Sequence, residues 1–323
     1  MSTPRSAASR QPETGDAAFA ADVAYYLAQT PRQLPSRYLY DELGSSLFDA
    51  ICRLPWYQIA RTEQALLGAH AAAICGRLRP LSIVVELGPG SGEKLVTLMT
   101  ACADRDVTVH LVDVSSAALE KTAGALAAAL SLTVVVHQAT YDVGMSGIAG
   151  ADAASGRTLA VFLGSNIGNF DPPGADALLR AIRAALRAGD ALLLGTDLVK
   201  PEAELLLAYD DPLGVTAAFN RNLLVRMNRE LDGDFDASQF AHRAVWNAPA
   251  SRIEMYLVSR RRQRVRLRAA NVDITFAEGE PIWTESSYKY RLDDLAPMLG
   301  RAGFHAIGQW TEGTFALTLA EAR

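Results

Sequence analysis

The 323-residue sequence is poor in cysteine, in long apolar runs and in net positive charge. Its three cysteines, Cys52, Cys75 and Cys102, are too few and too scattered for a disulfide framework or a zinc site. That usage points to a reducing, cytoplasmic setting. No apolar run reaches the length of a membrane span. The opening stretch MSTPRSAASRQPETGD lacks the hydrophobic core of a secretion signal, and residues 1–17 read as a disordered leader. With a net charge of −5, no global field draws the chain to nucleic acid or to an anionic membrane. The five histidines (His70, His110, His137, His242 and His305) show no metal-ligand spacing, so no metal is expected. There is no internal repeat. Half the residues are apolar and 21% are charged, which suits a globular chain of one large α/β domain or two modest ones.

From residue 17 to about 78 the pattern is helical, in the stretches DAAFAADVAYYLAQ, SSLFDAICRLPWY and ARTEQALLGAHAAAICGRL, with Thr62 as a cap for the third. The texture then changes. LSIVVEL (81–87), VTVHLVD (107–113), LTVVVHQA (132–139), TLAVFLGS (158–165) and DALLLGTD (190–197) are short apolar runs separated by helical segments. Strands alternating with helices imply a parallel, doubly wound sheet. The alternation stops near residue 198. About 90 residues of helix and strand (RIEMYLVS, RVRLRAANVDITF, PIWTESSYKY) are inserted before a last helix and two last strands. The basic run SRRRQRVRLR (259–268) alternates Arg with Val and Leu and reads as a half-exposed strand, not a nucleic-acid patch.

The strongest local motif is VVELGPGSGEK (84–94). Gly88, Gly90 and Gly92 close a strand and open a helix, where glycine allows a tight turn and a close ligand. The spacing is E-x-G-x-G-x-G. Dinucleotide sites prefer G-x-G-x-x-G, and no phosphate-binding G-x-x-x-x-G-K-[ST] is present. The variant resembles motif I of the S-adenosylmethionine (SAM) methyltransferases. Asp113 ends the next strand, where an acid accepts from both ribose hydroxyls. Tyr141 and Asp142 follow the third strand and can flank an adenine. A structural turn is the bland alternative for the loop, and a solvated pair is the bland alternative for Tyr141 and Asp142.

Beyond strand four the chain reads FLGSNIGNFDPPG (162–174). NFDPP is followed by Gly174 and offers no aromatic to stack on a flipped base, which disfavours a nucleic-acid methyltransferase. Asp171 and Pro172 instead suit the start of a helix. With YLYDELGSSLFDAICRLPWY, RTEQALL, ELGPGSGEK, VDVS, FLGSNIGNF, YDDPLGVTAAFNRNLL, RIEMYL and TESSYKY in order over 38–290, the chain resembles the histidine N-alpha-methyltransferases of ergothioneine biosynthesis.

That resemblance implies a Rossmann-like class I SAM methyltransferase sheet (62–198 and 287–323) with a second α+β substrate-binding domain (18–61 and 199–286). It implies SAM contacts at Tyr57, Gly88, Lys94, Asp113 and Asp142. Asn169 and Tyr209 match groups that hold the amino acid's backbone, and Tyr40 and Phe48 match aromatics of that cavity. Glu285 and Ser287 match the pair that binds the imidazole, with Met255 beside the ring. QATYD departs from the family's usual Gly-Asp-aromatic after strand three. The α-amine is positioned by Asn169 and Tyr40, and no side chain is assigned as acid or base. A dry site disfavours the ammonium form of the acceptor. The resemblance implies three methyl transfers to the α-amine of histidine, giving hercynine, and an aromatic wall suits the fixed cation made by the third. On their own, Glu285 reads as a solvated charge, Tyr209 as a helix-end surface group and Met255 as core. The expected partner is a small amino acid, with neither nucleic acid nor membrane, and a monomer is expected. The alternatives are the same fold acting on another amino acid such as tryptophan, or a SAM-binding protein without activity.

Overall fold

The computed structural model describes residues 16–102, 107–148 and 156–323. Residues 1–15 of the expected leader lie outside them, and Asp16 and Ala17 already belong to the first helix. In chain order the elements begin with α1 (Asp16–Leu27), β1 (Arg32–Gln33), α2 (Glu42–Arg53) and α3 (Ile59–Gly76). The alternating region follows: β2 (Leu81–Leu87), α4 (Glu93–Ala101), β3 (Thr108–Asp113), α5 (Ser116–Ala129), β4 (Thr133–Gln138), α6 (Tyr141–Ile148), β5 (Arg157–Phe162), α7 (Pro172–Ala185) and β6 (Ala191–Asp197). The inserted stretch gives α8 (Glu202–Tyr209), α9 (Val215–Glu230), β7 (Phe240–Asn247), β8 (Arg252–Ser259), β9 (Gln263–Leu267), β10 (Val272–Phe276) and β11 (Pro281–Tyr288). The chain closes with α10 (Leu292–Arg301), β12 (Phe304–Glu312) and β13 (Phe315–Ala322).

Seven strands form one sheet in the order β12-β13-β6-β5-β2-β3-β4. The central strands are parallel, while β13 runs antiparallel to both β6 and β12. The expectation of a parallel sheet therefore fails at the last strand, β13. A tight turn joins it to β12 and permits only antiparallel pairing, and the strand returns between β12 and β6, against both. The central strands are apolar on both faces because helices cover both. In β5, Leu159 and Val161 face one core while Ala160 and Phe162 face the other. Strand order reverses between β5 and β2, which opens a crevice beyond their carboxyl ends.

A second sheet has the order β1-β11-β8-β7, and β9 and β10 form a separate hairpin. β1 comes from the N-terminal region and pairs with β11 about 250 residues later, with Arg32 opposite Ile282. The expected single run RVRLRAANVDITF is thus two strands turned at Asn271, whose φ is 51°. In β9 the outward Arg264 pairs with Asp273 and Arg266 with Asp234, so the basic alternation is neutralised locally.

Caps follow local chemistry. The Asp171 side chain accepts from Gly174 N at 2.9 Å, with prolines in the first turn of α7. Asp41 caps α2 in the same way, from Gly44 N at 2.8 Å. Thr62 does not cap α3, because that helix already starts at Ile59 and Thr62 N donates to Gln58 O inside it. The cysteine expectation is also corrected. Cys75 in α3 and Cys102 after α4 are disulfide-bonded, and Cys52 is free. α3 packs on α4, so residues scattered in sequence meet.

Candidate active site

The glycine loop leaves β2 at the crevice. Gly88, Gly90 and Gly92 have φ of 74°, 59° and 79°, a region that penalises every side chain. A Cβ on Gly88 would sit 2.7 Å from both the Tyr141 hydroxyl and Asn166 Nδ2, so those polar groups lie directly against the loop. Asp113 ends β3, takes the Ser115 N–H at 2.8 Å and lines the same cleft. Burial pushes its carboxyl up. Glu86, in β2 just before the loop, is 1% exposed and its Oε2 has no partner among the described residues. Burial, opposed by Lys94, raises its pKa to about 8. Left-handed glycines, an acid at the ribose position and an unpaired buried acceptor fit SAM, a ligand with a cationic amino-acid end and no phosphate.

Lys94 follows the loop in α4. Its Nζ lies 2.6 Å from Oε2 of Glu63, a fully buried residue of α3. Both Glu63 oxygens also accept from Gly164 N at 2.9 Å. Burial alone would lower the Lys94 pKa, but Glu63 and then Glu86 outweigh it. Glu63 thus latches the helix behind the glycine loop to the turn carrying Asn166 and Asn169. That turn is itself held: Ser165 has φ of 58°, and its Oγ accepts from Asp197 N at 2.9 Å.

The cleft of about 1220 Å³ is lined by Gly88, Gly90, Asp113, Tyr141 and Asp142, and also by Asn166, Asn169, Tyr40, Phe48 and Glu285. The last five also line an inner cavity of about 30 Å³. Tyr57, Tyr209, Phe219, Met255 and Ser287 are among its other walls. Its walls form an aromatic box. Tyr40 lies 5.4 Å from Phe48 and 5.4 Å from Phe219, Phe48 6.1 Å from Tyr57, and Tyr57 6.1 Å from Tyr209. Burial holds the Tyr40 and Tyr57 phenols well above their usual pKa, so they offer O–H groups and ring faces, not anions.

Glu285 and Ser287 project from β11 to one side, as strand alternation requires, although a register shift between Trp283 and Glu285 interrupts the ladder just before. Glu285 is 9% exposed, and burial, opposed by Lys289, raises its carboxyl to about 7. The Tyr209 hydroxyl and Ser287 Oγ are 2.8 Å apart. Lys289 Nζ donates to Tyr209 at 2.8 Å and to Ser287 at 2.9 Å. It also forms an ion pair with Asp197 Oδ2 at 2.9 Å, and Lys200 holds the other oxygen at 2.6 Å.

The structure therefore gathers Tyr40, Phe48, Asn169, Tyr209, Met255, Glu285 and Ser287 around one cavity. Gly88, Gly90, Asp113, Tyr141 and Asp142 line the adjoining cleft. Tyr57, which the resemblance matches to a SAM contact, lines the inner cavity. Gly92 packs on Thr122 behind the loop, and Lys94 turns to Glu63. Sequence reasoning missed Glu63, Asn166, Phe219 and Lys289. Asn166, which lines both spaces, stands inside the quoted FLGSNIGNF, and Lys289, buried behind them, inside TESSYKY, but no local pattern shows either placement.

A seven-stranded sheet with its closing strand reversed, a left-handed glycine loop at the crevice and an acid at the end of the neighbouring strand define a SAM-dependent methyltransferase. The chain belongs to the family described as histidine-specific, SAM-dependent methyltransferases, whose model matches residues 19–322. It is 42% identical to a histidine N-alpha-methyltransferase of Mycobacterium tuberculosis, over 95% of this chain and 96% of the relative. It is 41% identical to the Mycolicibacterium smegmatis protein of the same description, over 93% of each. An L-tryptophan methyltransferase of Psilocybe serbica is 26% identical over 87% of this chain and 85% of its own. No helix among the described residues is long and apolar enough to cross a membrane.

Proposed function

We propose that this protein transfers three methyl groups from SAM to the α-amino group of L-histidine, giving hercynine, the first step of ergothioneine biosynthesis. The observation that carries the reading is the pair Glu285 and Ser287, both buried, at an aromatic cavity continuous with the glycine-loop cleft. Glu285 accepts an imidazole N–H, and the Ser287 side engages the other ring nitrogen. Met255, 1% exposed, closes the space beside the ring. A site of buried polar groups rejects analogues that leave them unpaired, which favours histidine over leucine or phenylalanine.

Asn169 orients the substrate backbone, its amide donating to the carboxylate and accepting from the amine. Tyr209 adds a hydroxyl, and Tyr40 lies beside the amine. Gly88, Gly90, Asp113, Tyr141 and Asp142 hold the donor, which supplies an electrophilic methyl on a sulfonium. The residues of the cavity exclude water, which lowers the pKa of the α-ammonium and yields the free amine. They also hold the nitrogen in line for displacement. Each of the first two transfers is followed by loss of one proton from nitrogen. The third leaves a fixed cation, which Tyr40, Phe48, Tyr57 and Phe219 accommodate by their ring faces. The acceptor unit comprises the N-terminal helices with the inserted region, 18–61 and 199–286, a division supported by the second sheet that joins β1 to β11.

Purified protein, SAM and each of the twenty amino acids, read by product mass, test the reading. A gain of three methyls on histidine is expected. Gain on tryptophan but not histidine refutes it, and no gain on any amino acid favours a binding protein.

A further inference from the structure

Lys289 is fully buried, lines neither the glycine-loop cleft nor the inner cavity, and has no role in the chemistry described above. We propose that Lys289 is a positioning residue for the acceptor. Its ammonium occupies one acceptor site on each of Ser287 and Tyr209, so that the hydroxyl pair presents one donor and one acceptor to the amino acid.

The argument is a count of protons and lone pairs. Each hydroxyl has one proton and two acceptor sites. Lys289 Nζ takes one site on Tyr209 and one on Ser287, at 2.8 and 2.9 Å. The 2.8 Å bond between the two hydroxyls consumes one proton and one further site. One hydroxyl proton remains, on whichever partner accepts in that bond. The ligand therefore meets a donor at one hydroxyl and an acceptor at the other, with Glu285 as a second acceptor nearby. A neutral imidazole, with one N–H and one bare nitrogen, finds a match at Glu285 and the free proton. The apolar edge of a larger ring does not.

The lysine is placed for this from two directions. Its backbone N donates to Ser251 O at 2.7 Å, just past the end of β11. Its ammonium pairs with Asp197 at the end of β6, in the other sheet. The ring of Tyr209 lies 4.6 Å from Nζ, which further fixes the phenol. Lys200 holds Asp197 independently, so loss of the Lys289 charge does not leave a lone buried carboxylate.

The inference rests on the proposed histidine pocket, and the wild-type amino-acid panel judges that pocket without any variant. Lys289→Met, Ser287→Ala and the double variant judge the inference, with histidine and SAM affinities measured by calorimetry. Lys289→Met is expected to weaken histidine binding about tenfold or more. SAM affinity should stay within about twofold, and the double variant should lose little beyond the larger single loss. Unchanged histidine affinity, equal losses of both ligands, or additive losses overturn it. If Lys289→Met does not fold, the Tyr209→Phe and Ser287→Ala cycle decides, since both changes keep Lys289 and its ion pair with Asp197 in place. One shared proton predicts non-additive losses there, and additive losses refute the count.

Discussion

Gly195→Ala looks harmless in the sequence, because alanine in a strand interior ordinarily restricts the unfolded chain and stabilises by about 0.4–1 kcal/mol. The structure predicts the opposite. Gly195 lies in β6 with an ordinary backbone, and a Cβ there would sit 2.0 Å from Glu63 Oε1 and 3.2 Å from Phe315 Cζ. The end of a free side chain would swing away. Glu63 has nowhere to swing: it is fully buried and binds both Lys94 and Gly164 N. Overpacking of this kind costs about 1–3 kcal/mol. A loosened hydrogen bond to a buried charge adds about 1.5–3 kcal/mol. After the entropic gain, a net loss of roughly 2–4 kcal/mol is expected, a fall of several degrees in the melting temperature for a chain of this size. Because Glu63 latches α4 to the turn bearing Asn166, SAM affinity should fall with it. Thermal melts with and without SAM, and calorimetry of SAM binding, check this. A Gly195→Ala protein as stable as wild type, with unchanged SAM affinity, would falsify the latch.

Glu285→Ala should weaken histidine binding by roughly 10–100-fold while leaving SAM binding near normal, by analogy with other charge-assisted hydrogen bonds. Equal losses by calorimetry would make Glu285 structural. Histidine affinity should also fall as pH drops through about 7, because the buried carboxyl then takes up a proton and loses the charge that strengthens its hydrogen bond to the imidazole N–H. The imidazole of the ligand titrates nearby, so Glu285→Gln is the control. Its affinity should change less steeply between pH 6 and 8, and an identical slope contradicts the assignment. For Glu86 the sign concerns stability. Its folded pKa of about 8 lies above the ordinary 4.5, so its contribution is full below 4.5 and is lost as pH rises through 8. Glu86→Gln does not titrate and should gain on wild type in SAM-free melts between pH 5 and 9. A pH-independent gap would show that Glu86 is not buried as a charge.

Much of the scaffold was legible. LSIVVEL emerges as β2 with the boundaries read from its apolar run, because a strand covered on both faces needs apolar residues throughout. The glycine loop was legible because positive φ selects glycine. Glu285 and Ser287 were placed on one face by the two-residue period of a strand. The reversed last strand, the hairpin at Asn271 and the start of α3 were misread or missed. Apolar runs say where a strand is, but not its direction or exact ends.

By itself, the sequence determined the order of elements, the ligand loop, Asp113 and the family's motifs, all of which are written in local spacing. Only the tertiary structure decided which distant groups share a burial site. Glu63 meets Gly164, Cys75 meets Cys102, Arg32–Gln33 completes a sheet with β11, and Lys289 meets Asp197, Tyr209 and Ser287. The physical reason is common to all four. A buried charge, thiol or strand edge needs a partner, and which partner it finds depends on how helices and sheets pack, not on its neighbours in the chain.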